Sequence, residues 1–309
     1  MKPPLRQAVL PGYAHPGYAE SLAQFGTPVE LPRSGGWILE RPVPGSPHRD
    51  AMGCYPLFFC RRWDELHADL EDLQGRLVSL AAVPDPFGEY DLDLLRDCFA
   101  DVVVPFKEHF VTDMHRPLAD SVSKHHRKYA FKAQQQVRTE VVQEPSSFLE
   151  EWIELHRTLV ARHDIKGLRA FSRQAFSAQL GLPGMVVVRA KHHETTVGAQ
   201  LWFQHEDVAY GHVLAFNQLG YDLGAPYALY WFALEHFAGK VRWCSIGGVS
   251  GTDVEGSGGL SQFKRGWATA TRTAYFCGRI LDRARYNGLV RLGGRAAGEF
   301  FPAYRTSVG

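Results

Sequence analysis

Phe263-Lys264-Arg265-Gly266-Trp267 sets one lysine between two aromatic rings, beside a glycine, after a glycine-rich loop spanning 247–259. A lysine held there is a fixed cation. Fixed cations lower barriers where negative charge gathers on a carbonyl oxygen, often by about 3 kcal/mol. The same lysine also reads as a solvated residue of a basic loop, and Phe263 as either a stacking ring or a core aromatic. A reaction that strips a proton from an amine needs an acceptor as well. Three side chains offer one: His163 at a helix end, His212 inside an apolar strand, and Asp253 in the glycine-rich loop. Each is equally readable as structural. His125 and His126 point about 100° apart on a helix, which argues against a shared metal ion, and no metal site is expected.

The elements that must position these groups follow from the apolar pattern. Trp37–Val43 and Tyr55–Cys60 read as strands. Trp63–Leu73 reads as a helix, with apolar residues at positions 63, 66, 70 and 73. Leu77–Val83 is a buried strand, Asp91 caps a helix running to Phe99, and Phe106–Asp113 returns as a strand. Ser121–Gln136 is a basic helix, and Val137–Gln143 alternates as a strand. Ser146 and Ser147 cap the helix Phe148–Arg162, and Arg169–Leu180 forms another. Met185–Lys191, Thr196–Gln204 and Val208–Ala215 form an antiparallel meander. Gly224–Ala238 is a helix, followed by strands at Val241–Ile246 and Arg272–Arg279. The expected fold is α/β (α+β), with mixed, largely antiparallel sheets flanked by helices.

Composition sets the outer bounds. The 309 residues, 45% hydrophobic and 22% charged, are those of an ordinary soluble globular protein. No run of about 18 apolar residues is present, so no membrane span is expected. Five widely spaced cysteines without a Cys-x-x-Cys pair favour neither zinc nor a disulfide framework, and the expected compartment is a reducing cytoplasm. The net charge of +1 hides a polarity. Residues 1–120 hold 11 Lys+Arg against 18 Asp+Glu, and residues 264–309 hold 9 against 2. The basic end either meets an anionic ligand or neutralises the acidic half within the fold.

Three segments taken in order resemble FemAB-type transferases, which share the GNAT fold. Ser123-Lys124-His125-His126-Arg127-Lys128, with Ala133 and Val137, is similar to their helix-to-strand segment. Ala215-Phe216-Asn217, Gly220-Tyr221 and Ala225-Pro226-Tyr227-Ala228-Leu229 resemble the loop and helix of their second lobe. Gly259-Leu260-Ser261-Gln262-Phe263-Lys264-Arg265-Gly266-Trp267 is similar to their Gly-Leu-x-x-Phe-Lys-x-Gly-Phe signature. The resemblance covers about residues 115–280. It implies two fused GNAT-like lobes: residues 1–120, degenerate, and residues 121–309, carrying the transfer site. It also implies an N-acyltransferase that joins an acyl or aminoacyl group to an amine, with Phe263 and Lys264 at the active centre.

The donor is then the open question. Coenzyme A enzymes cradle a pyrophosphate at a helix N-terminus behind a cation-led glycine loop. Tyr221-Asp222-Leu223-Gly224-Ala225-Pro226 stands at that place, without the leading cation and with a proline that removes an N–H. This favours aminoacyl-tRNA over acyl-CoA or an acyl-carrier thioester, with no tightly bound cofactor. Lys124, Arg127, Lys128 and Lys132 form one broad helix face that suits an RNA backbone, or equally a solvated surface. Tyr227, Arg265 and Trp267 complete the expected donor contacts. The expected acceptor is a small-molecule or precursor amine. A non-catalytic GNAT-like pair that binds RNA or another partner is the rival of a different class. The oligomeric state is not legible.

Overall fold

A computed structural model describes residues 10–249, 258–292 and 301–305. In chain order the elements are α1 (Pro16–Ser21), β1 (Thr27–Leu31), β2 (Gly36–Pro42), β3 (Arg49–Gly53), α2 (Leu66–Glu71), β4 (Ser79–Ala82) and α3 (Leu92–Cys98). They continue with β5 (Val102–Asp113), α4 (Leu118–Ser121), α5 (Lys124–Gln134), β6 (Arg138–Val141), α6 (Leu149–His163) and α7 (Arg173–Leu180). The meander follows as β7 (Met185–His192), β8 (Thr195–His205) and β9 (Val208–Phe216). Last come α8 (Gln218–Asp222), α9 (Ala225–Phe237), β10 (Trp243–Ser245), α10 (Gly259–Arg265), β11 (Ala270–Ile280) and α11 (Arg283–Leu292). The fold is mixed α/β. β3–β4 and β9–β10 pair in parallel, while β1–β2, β2–β3, β4–β11, β5–β10, β6–β7, β7–β8 and β8–β9 are antiparallel.

The chain divides into two compact units, each drawn from separate stretches. One, the central unit, comprises Met1–His15, Lys107–Ile165 and Ser172–Arg272. The other, the flanking unit, comprises Pro16–Phe106, Lys166–Phe171 and Thr273–Gly309. This differs from contiguous halves meeting near residue 120. The reason is the last strand, whose Cys277–Ile280 pair with Ser79–Ala82 of β4 and so join the C-terminal residues to the N-terminal strands.

In the flanking unit the strand order is β1-β2-β3-β4-β11. Leu31, Ile38, Trp63, Leu66, Leu70, Leu80, Leu95 and Phe99 are buried together beneath α2 and α3. The apolar spacing of the 63–73 segment is realised as a turn of 3-10 helix, Trp63–Glu65, running into α2. Asp91 caps α3 by accepting the Leu94 N–H at 2.8 Å. Tyr55–Cys60 is not a strand: only Phe58 makes a bridge, to Pro84, and the strand lies earlier at β3. The charge polarity of the chain resolves inside this unit. Arg279 pairs with Glu71, Arg283 with Asp101 and Arg305 with Asp50, so basic C-terminal residues neutralise acidic N-terminal ones.

In the central unit the order is β5-β10-β9-β8-β7-β6. Successive strand residues face opposite sides, and β8 shows it. Trp202 packs against Phe237 of α9, while Phe203 turns to Tyr13 and His212. α9 is hydrophobic almost all round, as a buried helix should be. α5 lies against it through small residues, with Ala130, Ala133, Ala225 and Ala228 all buried. The basic helix expected at 121–136 is broken in two. Val122 and Ser123 are extended, and the Ser123 hydroxyl restarts the helix by accepting the His126 N–H at 3.2 Å. Ser146 and Ser147 do not cap α6. Pro145–Phe148 instead forms a 3-10 turn in which the Ser147 hydroxyl donates back to the Glu144 carbonyl. Among the described residues no helix is long and apolar enough to cross a membrane.

Candidate active site

The site begins where β10 ends. Trp243–Ser245 pair in parallel with Val208–Tyr210 and stop, while β9 runs on to Phe216. Beyond Ser245 the chain stays with β5: Ile246 N–H donates to the Phe110 carbonyl at 3.0 Å and Phe110 N–H to the Gly247 carbonyl at 3.3 Å. The two parallel neighbours therefore part beyond Tyr210. The β8–β9 register also shifts there, from Leu201↔Val213 to Trp202↔Gly211, which makes His212 the extra residue of a bulge.

Lys264 enters beside this parting. It sits in the last turn of α10, 7% exposed, and its Nζ donates to the Gly248 carbonyl at 2.6 Å. A Cβ placed on Gly247, whose φ is +72°, would lie 3.6 Å from that Nζ. Burial, and then the neighbouring Lys107 ammonium, push the Lys264 pKa down from 10.5 to about 8. Among the described residues Lys264 is thus a buried cation facing one neutral carbonyl and one like charge, an electrostatic state suited to receiving a developing anion.

What holds Lys264 is a clamp that the sequence did not single out. Carbonyls only accept, so His126 Nε2–H donates to the Phe263 carbonyl at 2.9 Å, and Nδ1 then accepts from the Ser123 hydroxyl at 2.8 Å. Ser123 N–H also donates to the Gly266 carbonyl at 2.9 Å. The N-terminal turn of α5 thereby binds the orphan carbonyls that end α10. Gly266 is what lets the ring in, since a Cβ there would stand 2.0 Å from His126 Cε1. The spacing Phe-Lys-x-Gly has this physical content: the ammonium and the gap for its clamp lie two residues apart.

His109 is a second residue that sequence reasoning missed. It lies on β5, 8% exposed, and its Cδ2 is 3.4 Å from where a Gly248 Cβ would be. Its Nδ1 is buried with no hydrogen-bond partner among the described residues. Burial, then Lys264 and Lys107, push its pKa down to about 4, so the ring is neutral near pH 7. Its place inside the strand expected at Phe106–Asp113 made it read as one more strand residue.

The other expected site residues divide. Phe263 is half-buried against Tyr227 at 5.0 Å, Tyr230 at 5.3 Å and Trp267 at 6.0 Å between ring centres, so Phe263 and Tyr227 are brought to Lys264. Trp267 is fully buried and stacks on Tyr230 at 5.6 Å, which makes it core and not a donor contact. Arg265 is exposed on α10. Lys124 and Lys128 are exposed on α5, but Arg127 turns inward, half-buried, with Nε lacking a partner among the described residues. The broad basic face is therefore lysine alone. His163 is exposed at the end of α6. His212 has both ring nitrogens engaged. Nε2–H donates to Gln179 Oε1 and the Tyr13 hydroxyl donates to Nδ1, each at 3.0 Å. Burial pushes its pKa down to about 3, which removes it as an acceptor near neutrality. Asp253 lies outside the described residues.

Elsewhere in the central unit an open hollow of about 770 Å³ follows β6, lined by Glu140, Glu144, Glu151, Arg189 and Phe232. Its carboxylates Glu140 and Glu151 are held by Arg189, and it contains none of the expected site residues. No group of three or more metal-ligating side chains is found among the described residues.

Comparison with known proteins agrees with this architecture. Residues 119–265 match the model of the acetyltransferase (GNAT) domain family. That stretch is a GNAT acetyltransferase domain, which makes the chain an acyltransferase. Among solved structures, FemX superimposes with a TM-score of 0.67 at 14% identity, covering 88% of this chain and 93% of that one. L-PGS from Bacillus licheniformis superimposes with a TM-score of 0.57 at 16% identity, covering 94% of this chain and 100% of that one. At such identities the likeness is one of fold. No curated protein matches the sequence.

Proposed function

We propose that the protein transfers an aminoacyl group from aminoacyl-tRNA to the amine of a small molecule or precursor, in the cytoplasm. Transfer takes place in the central unit; the flanking unit is its degenerate GNAT-like companion. The amine nitrogen attacks the ester carbonyl, negative charge collects on the carbonyl oxygen, and the bond to the ribose oxygen breaks. Lys264, already stripped of solvent, stabilises that oxygen without reorganising. The nitrogen's proton leaves to water, and the ribose oxygen recovers one from water.

The observation that carries the donor reading is the N-terminus of α9. Gly224 precedes it in a left-handed conformation, and Pro226 in the first turn has no N–H. The Tyr227 N–H is already spent on the Gly224 carbonyl at 2.9 Å. A pyrophosphate cradle needs those donors. The second reading, an acyl-CoA or acyl-carrier donor entering where β9 and β10 part, is favoured by the match to the acetyltransferase domain.

The test is direct. The purified protein is incubated with a labelled pool of charged tRNA and separately with labelled acyl-CoA, with and without ribonuclease. Ribonuclease-sensitive consumption of the aminoacyl label supports the first reading. Ribonuclease-resistant, saturable consumption of acyl-CoA replaces it with the second and leaves the role of Lys264 standing.

A further inference from the structure

α5 carries four basic residues and no carboxylate from Lys124 to Gln134. At 100° per residue, Lys124, Lys128, Lys132, His125 and Tyr129 share one continuous face about 140° wide. His126, Arg127, Ala130 and Ala133 take the inward side, as their burial confirms. A cationic face of this kind ordinarily keeps its aromatic rings in the core. Here His125 is exposed and Tyr129 is 44% exposed. These rings are also ordered. Tyr129 lies 4.5 Å from His125 with planes 37° apart, and 5.2 Å from Tyr227 of α9 with planes 32° apart. Tyr227 in turn meets Phe263 at 5.0 Å, and Phe263 adjoins Lys264 in the chain. A row of rings thus runs from an exposed, lysine-rich surface to Phe263, the residue before Lys264.

We propose that this row is a stacking platform for the unpaired 3′-terminal bases of the donor RNA, with Lys124 and Lys128 on the flanking phosphates. The proposal rests on the aminoacyl-tRNA reading and adds to it the place where the strand end lies. Its support is the chemistry of the surface. Aromatic rings beside a run of lysines bind single-stranded nucleic acid because every base has a π-face and every phosphate a charge. An acidic protein partner would satisfy the lysines and leave the aligned rings unused. A strand end stacked on Tyr129 lies two ring contacts from Phe263, which puts an ester on its terminal ribose within reach of Lys264.

The experiment uses the whole protein and an uncharged RNA hairpin with a single-stranded 3′ tail ending in 2-aminopurine. With the unaltered protein the fluorescence of that base should be quenched in a saturable way. Tyr129→Ala should abolish the quench and weaken binding at least tenfold, while Tyr129→Phe keeps both. Lys124→Ala with Lys128→Ala should weaken binding and flatten its salt dependence, yet leave the quench intact at low salt. If the hairpin binds with its terminal base unquenched, or Tyr129→Ala binds as the parent does, the platform is wrong and the donor reading survives. If no hairpin binds and acyl-CoA is turned over in the presence of ribonuclease, the donor reading falls and takes the platform with it. Loss of binding to anionic phospholipid vesicles in Tyr129→Ala, with RNA binding unchanged, overturns the proposal in favour of a lipid surface.

Discussion

Two buried charges, one in each unit, are treated in opposite ways. Asp50 of the flanking unit is completely buried and its oxygens are saturated: Arg41 donates at 3.2 Å, Tyr304 at 3.0 Å, and Arg305 through two nitrogens. Lys264 of the central unit is nearly as buried, but among the described residues its ammonium meets the Gly248 carbonyl and the field of another lysine. A compensated charge ties elements together and has nothing left to offer a ligand. An under-compensated one costs stability and keeps its field for whatever arrives. Under the proposed function, the contrast separates a charge that holds the fold from one that serves the chemistry.

The sharpest way to break the comparison is to remove each charge in turn. Lys264→Ala should lower turnover on the order of 10²–10³-fold, as loss of an oxyanion stabiliser does, while the unfolding midpoint stays level or rises. Asp50→Ala should do the reverse, costing about 3–5 kcal/mol of stability because it strands Arg41 and Arg305. Turnover per folded molecule should hold. Urea titration with active-site-normalised kinetics reads both, and a Lys264→Ala protein that is folded and fully active would end the assignment.

A somewhat smaller effect is expected at the clamp. His126→Ala should cost about 1–3 kcal/mol for the stranded Ser123 and Phe263 groups. It should also lower kcat more than KM, because Lys264 loses its placement and not its charge. His126→Gln, which can still donate to the Phe263 carbonyl, should recover part of kcat. Equal losses in both variants would leave His126 a packing residue only.

The pH dependence sharpens the comparison further. With a pKa of about 8, Lys264 is charged below that value, so an electrostatic role predicts a rate that falls as pH rises through 8. A rate that climbs over the same range would instead make Lys264 a base. The sign for stability is opposite. Between pH 8 and 10.5 the folded lysine has shed a proton that the unfolded chain still holds, so the penalty of burying an ammonium fades as pH rises.

The smallest effect belongs to an exposed pair. Arg173 and Glu150 are joined on the surface of the central unit, and Arg173→Ala should leave the urea midpoint essentially where it is, because solvent screens an exposed pair. A larger loss by urea titration would mean that exposure is a poor guide to which charges matter here.

Legibility in the sequence followed the range of the interaction. The meander β7–β9 was readable because alternation and turn residues repeat within ten positions. α3 was readable because its cap, Asp91, lies next to it. The gap at Val122-Ser123 was hidden, because the run 121–136 has helical composition throughout. What divides it is a bond from Ser123 to Gly266. Tyr55–Cys60 has strand-like composition, yet its pairing partners never arrive.

The sequence by itself determined the alternation of strands and helices, the α/β class and the stretch around Lys264, all of which local spacing records. Tertiary structure alone decided which charges are cancelled and which are left waiting. It paired Arg305 with Asp50, turned Arg127 inward and Trp267 into the core, and engaged both nitrogens of His212. It also brought His126 to Phe263 across 137 positions of chain. The physical reason is that burial and electrostatic compensation belong to neighbours in space, and spacing along the chain carries no record of them until the sheet has formed.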